Sequence, residues 1–281
     1  MNNIEKPTHT QVIGITSGKS GVGKTTVSVN LAVALHDMGY NVMILDANTS
    51  VANAQAALGS PCPFKLEDFL SGKKSLKEII LKRRYGIQLV AGASAIRDMT
   101  TLSPTQANRA LQEFGDLEAD LDFLIVDMPP GTEMSVLSFM ASTSRRFLVI
   151  RNDAAGLTDA YSMIKVLCSD YKLDDIYIIV NGAQTEAEGK HLFDHLNLIS
   201  TKFLQRSLHY LGCLQQDELI VEASKNHKAI SEFAPTSTGA RDIRHLAKTT
   251  SSLALQTYVE GGIAHFLQRM FHLHDLTVQK S

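Results

Sequence analysis

Between Gly18 and Thr25 the chain reads GKSGVGKT, with the spacing G-x-x-x-x-G-K-T. Glycines at such spacing let successive backbone N–H groups turn inward around phosphate oxygens, a lysine in the place of Lys24 reaches the β and γ oxygens, and a hydroxyl in the place of Thr25 binds Mg²⁺ at the start of the following helix. The cradle therefore comprises Gly18, Lys19, Ser20, Gly21, Val22, Gly23, Lys24, Thr25 and Thr26. Two carboxylates close apolar runs elsewhere: Asp46 after NVMIL and Asp127 after FLIV. A carboxylate at a strand end beside such a loop can hold Mg²⁺ through water. Asn48 stands two residues after Asp46, where a hydrolase would use a second carboxylate. Asn181 closes IYIIVN, and its amide carries the paired donor and acceptor that can read an adenine edge.

These groups need elements to bring them together. Short apolar runs recur at 11–16, 41–46, 86–92, 123–127, 146–152, 176–181 and 208–214, separated by helical patterns. Nearly continuous apolarity means strands covered on both faces, joined by right-handed crossovers. The expected fold is α/β, a doubly wound, mostly parallel sheet flanked by helices, with ligands gathered at the carboxyl ends of the strands. Residues 1–10 read as a tail, 11–258 as one nucleotide-binding domain, and 259–281 as an amphipathic helix set off by Gly261 and Gly262.

The 281 residues are 44% hydrophobic and 20% charged, as in soluble globular proteins, and a formal net charge of −2 gives no general pull toward nucleic acid. Cys62, Cys168 and Cys213 are far apart and form no C-x-x-C pair, so neither a disulfide framework nor a metal centre is expected, and a reducing cytoplasm fits. The start MNNIEKPTHT lacks the apolar core of a signal peptide, and no apolar run reaches the ~18 residues of a spanning helix.

Lys19, just after the first glycine of the loop, resembles the extra lysine of the deviant Walker A loop in the MinD/ParA class of ATPases. In that class it reaches across a nucleotide sandwich dimer to the partner's phosphates, so the resemblance implies a homodimer formed with ATP and Mg²⁺. The class has glycine next, where this chain has Ser20. FLIVDMPPG resembles its Walker B and switch II, implying Asp127 beside the metal, and Asn181 sits where similar proteins select adenine, there often followed by a basic residue and here by Gly182. The wording DMPPGT is also similar to Mrp-like iron–sulfur carriers, which need a bridging cysteine pair.

After the second strand the class has D-x-D, whose second Asp orients or activates the attacking water; this chain keeps Asp46 and has Asn48. An amide can hydrogen-bond a water but hardly accepts its proton, so general-base assistance of about 10²–10⁴-fold is lost. The resemblance thus gives Lys19, Lys24, Asp46 and Asn48 as the catalytic set and Thr25, Asp46 and Asp127 as the metal set, with slow ATP hydrolysis.

LTDAYSMIKVL (157–167), the layout of 197–230 and FAPTSTGARDIRHLA are similar to the FlhG/FleN branch, the regulators of flagellar number and placement. Gln215 and Gln216 replace the branch's isoleucine-proline. Its D-Q-A-x-x-L-R helix, which stimulates a flagellar GTPase, is not found before residue 11, so the implied partner is the flagellar master transcription activator, an enhancer-binding AAA+ protein. The alternatives are a ParA-like ATP-dependent partition or positioning protein binding DNA nonspecifically, or a non-hydrolysing pseudo-ATPase scaffold.

Toward the carboxyl end, Ile263, Phe266, Leu267, Met270 and Phe271 follow the i, i+3, i+4, i+7, i+8 series, with His265, Gln268, Arg269 and His272 opposite. Such a helix either packs on its own domain or lies in a membrane interface, and MinD-like proteins end in a membrane-targeting helix. The expected location is cytoplasmic, peripheral on the inner membrane, and polar in the cell.

Overall fold

The seven apolar runs form seven of the eight strands in the computed structural model, which describes residues 5–48, 54–59, 62–82, 84–92, 99, 102–151, 153–256 and 262–278. The eight are β1 (Gln11–Thr16), β2 (Val42–Asp46), β3 (Leu81–Lys82), β4 (Gln88–Ala91), β5 (Phe123–Asp127), β6 (Arg145–Ile150), β7 (Ile176–Ala183) and β8 (His209–Gln215). The order across the sheet is β3-β4-β2-β5-β1-β6-β7-β8. Every pairing is parallel except that of the two-residue edge strand β3 with β4. Two residues are too few to show a period, which is why β3 goes unread in the sequence.

Successive side chains of a strand leave opposite faces of the sheet, and here both sets are apolar. Val12, Leu124 and Val126 enter one core, while Ile13, Ile15, Phe123 and Ile125 enter the other. Helices must therefore cover both faces. The longer ones are α1 (Lys24–Asp37), α2 (Pro104–Gly115), α3 (Met134–Ser142), α4 (Ala154–Ser169), α5 (Glu186–Leu204), α6 (Glu218–Lys225), α7 (Thr238–Gln256) and α8 (Ile263–Val278). Side chains of α1, α6 and α7 fill the second core, and those of α2 to α5 the first. The doubly wound fold read from the sequence is the fold observed.

Helix α8 joins the first core. Ile263, Phe266, Leu267 and Met270 are buried, the Phe266 ring meets Phe139 edge-on at 5.1 Å, and the Glu118 carboxylate accepts the Ile263 N–H at 3.0 Å. Of the two dispositions open to an amphipathic helix here, this structure adopts packing on the domain. The expected break at Gly261 lies outside the described residues. Among the described residues no helix is long and apolar enough to cross a membrane.

Candidate nucleotide site

The phosphate loop leaves the middle of the sheet, where β1 runs between β5 and β6. Thr16 Oγ1 donates to the Pro129 carbonyl at 2.8 Å, and the Gly131 N–H donates to the Ser17 carbonyl at 2.9 Å. These bonds tie the loop to the PPG segment after β5. A Cβ at Gly18 would stand 2.4 Å from the Asp159 carbonyl carbon, so only glycine lets the TDAY stretch of α4 pack so closely on the loop. Gly21 and Gly23 take φ values of +77° and +94°, which glycine alone adopts freely. They open a cavity of about 270 Å³ lined by Ser20, Gly21, Gly23, Lys24, Thr25 and Asn48 among others. No side chain caps α1 at Gly23, which leaves its first N–H groups and the positive end of its dipole to an anion.

Behind that cavity the polar groups are buried together. Lys24 is buried, which pulls its ammonium below the usual lysine value while Asp127 acts the other way. Burial raises the Asp127 carboxyl, opposed by hydrogen bonds: Thr25 Oγ1 donates to it at 2.5 Å and Ser28 Oγ at 3.0 Å. Asn48, 5% exposed, donates from Nδ2 to Thr25 Oγ1 at 3.4 Å and is also hydrogen-bonded to Asp127. Asp46 pairs with Asp127 in the β2–β5 register. Its carboxyl is pushed up to about 7, chiefly by burial and then by the neighbouring Asp127 charge. Its oxygens accept the N–H groups of Asn48 and Gln55, both at 3.3 Å, so Asp46 shapes the segment that carries Asn48.

Lys19 pairs with Asp153, the residue that caps α4 by accepting the Gly156 N–H at 2.7 Å. The lysine and the capped N–H hold the Asp153 carboxyl below its usual range.

A second cavity of about 230 Å³ opens beyond the loop. Asn181 and Gly182 line it together with Arg151, Gln216, Ile220 and Val221. Asn181 Nδ2 donates to the Val22 carbonyl at 2.7 Å, which leaves Oδ1 as the acceptor for a ligand. Gln215 is tied down by Asp242, whose Oδ2 accepts its backbone N–H at 2.9 Å, and Gln216 Oε1 accepts Gln184 Nε2 at 2.6 Å.

The structure thus brings Lys24, Thr25, Asp46, Asn48 and Asp127 into one cluster, turns Lys19 onto Asp153, and places Asn181 at the neighbouring cavity. Three residues had no part in the sequence reading. Ser28 lies one helical turn beyond Lys24, a spacing that could have flagged it. Asp153 carries an N-cap signal ahead of the α4 pattern. Arg151 is a bare strand-end arginine with no local signal.

A family model described as "ParA: NUBPL iron-transfer P-loop NTPase" matches residues 8–251. The chain's three cysteines are free, and among the described residues no group of three or more His, Cys, Asp or Glu converges. The antiactivator FleN of Pseudomonas aeruginosa is 35% identical over 260 residues, 92% of this chain and 93% of that protein. The flagellum site-determining protein YlxH of Helicobacter pylori is 29% identical over 85% of this chain and 81% of that protein. The septum site-determining protein MinD of Pyrococcus horikoshii, solved with Mg-ADP, superposes with a TM-score of 0.68 at 26% identity, covering 87% of this chain and 97% of that one.

Proposed function

The chain belongs to the ParA/MinD family of P-loop NTPases, and from that premise we propose that it is an ATP-dependent dimerising switch with slow hydrolysis, acting on flagellar number or placement through protein partners. The FleN and YlxH relatives support the flagellar role, and the antiactivator in one relative's name supports a transcription activator as partner. Membrane contact would require the apolar face of α8 to leave the core.

One observation carries the reading of slow turnover: an amide, Asn48, stands buried against Thr25 and Asp127. The residues present fit Mg-ATP. The open cradle, the uncapped α1 and the buried ammonium of Lys24 suit phosphate, while the Thr25 hydroxyl and the Asp127 carboxylate are hard oxygen donors of the kind Mg²⁺ takes. Mg²⁺ would neutralise charge on the β and γ oxygens. Lys24 would hold those oxygens, Thr25 and Asp127 the metal environment, and Asn181 Oδ1 would accept from the adenine amine, a donor that guanine replaces with a carbonyl. Asn48 would orient a water through its amide without taking its proton. Lys19 would leave Asp153 to reach the partner's phosphates.

Sedimentation with and without Mg-ATP, alongside direct ATP binding, tests this. The expected result is an ATP-dependent dimer that Lys19→Ala abolishes without loss of ATP binding, and a Lys24→Ala variant that no longer binds ATP. ATP binding undiminished in Lys24→Ala would refute it.

A further inference from the structure

Arg151 lines the second cavity, which borders the phosphate loop at Gly21, Val22, Gly23 and Thr26, and it is absent from the cradle cavity that Lys24 and Thr25 line. It rests against Gly182: a Cβ there would stand 3.4 Å from Nε and Nη2 and 3.7 Å from Cζ. Gly182 has φ +78° and sits where the β7–β8 register slips between Asn181 and Ala183. A side chain at 182 would be strained, so the position next to Asn181 supplies no cation of its own. The neighbouring strand supplies one instead.

The strand order β6-β7-β8 fixes what surrounds that space. Asn181 and Gly182 are at the end of β7, Arg151 follows β6, and Ile220 and Val221 follow β8, so the strand order puts the arginine and the aliphatic side chains on opposite sides of Asn181, with Gly21, Val22, Gly23 and Thr26 of the loop also lining the space. A flat heterocycle inserted there meets a planar cation on one face and aliphatic carbon on the other, with the Asn181 amide at its edge. Guanidinium is planar, delocalised and weakly hydrated, and it stacks on aromatic faces better than an ammonium does.

We propose that Arg151 is a nucleobase-binding residue, stacking its guanidinium on the purine of a nucleotide whose edge is read by Asn181. This rests on the ATP-binding reading above. Its test separates the base from the phosphates: equilibrium affinities for Mg-ATP and for Mg-tripolyphosphate, in the natural protein, Arg151→Ala and Arg151→Lys. Arg151 is exposed, so both variants keep the fold. The expected result is an ATP affinity about 3- to 10-fold weaker in both variants, the scale of a partly solvated base stack, with tripolyphosphate affinity unchanged. An unchanged ATP affinity, an equal loss for both ligands, or full recovery with lysine overturns the proposal, the last two because they assign Arg151 a charge role. A natural protein that binds neither ligand overturns the ATP-binding reading itself.

Discussion

Replacing Phe266 by alanine measures how firmly α8 is held to the domain. The ring is 2% exposed and meets Phe139 edge-on at 5.1 Å, with Ile263, Leu267 and Met270 buried around it. Removing a fully enclosed phenylalanine from such a site costs about 3–5 kcal/mol, from lost transfer free energy and the cavity left behind. If α8 detaches as a unit in the variant, the cost is capped at the free energy of docking, and the loss appears as local opening. Equilibrium urea unfolding of the nucleotide-free protein, read by far-UV circular dichroism, gives the global figure, and hydrogen exchange of the α8 amides gives the local one. The expected result is a drop of about 3–5 kcal/mol, or a smaller drop with loss of protection confined to α8. A change within about 0.5 kcal/mol and unaltered exchange, as for an exposed surface site, would refute the docked arrangement.

Asp153→Asn keeps an acceptor for the Gly156 N–H but removes the charge that holds Lys19. It should favour the ATP-dependent dimer by about two- to five-fold in sedimentation, the scale of a surface ion pair, and weaker dimerisation would contradict a competing role for that pair. Asp46 predicts a pH dependence. Its folded carboxyl, raised to about 7 from the usual 3.8, gives stability that is fully present below pH 3.8 and lost as pH rises through 7. The nucleotide-free protein should therefore unfold at lower urea near about pH 8 than near about pH 5.5, with a shallower slope in Asp46→Asn; Asp127, also raised, keeps part of the dependence. Equal slopes in the two proteins would assign the effect elsewhere.

The fold was legible because burial on both faces leaves a strong sequence signal. The runs at 11–16 and 123–127 became β1 and β5 residue for residue. The loop chemistry was legible because its glycines, lysine and threonine are contiguous. What stayed hidden depends on distant pairing. Nothing local tells that Lys19 meets Asp153, 134 residues away, or that Arg151 takes the space beside Gly182. The periodicity of α8 defined an apolar face, but Phe139 and Glu118, which meet it, belong to other parts of the chain. The sequence reading placed Asp46 with the metal; the structure adds that its oxygens accept the backbone N–H groups of Asn48 and Gln55, contacts that a strand-end position does not signal.

ATP turnover measured together with ATP-dependent oligomeric state, for the natural protein and Asn48→Asp, bears most directly on a switch whose reset is slowed by an amide. The prediction is a natural protein that dimerises with ATP and hardly hydrolyses it, and an aspartate variant that turns over faster by up to about 10²–10⁴-fold. Appreciable turnover in the natural protein that the aspartate does not improve would contradict it, and would mean that another group positions the water.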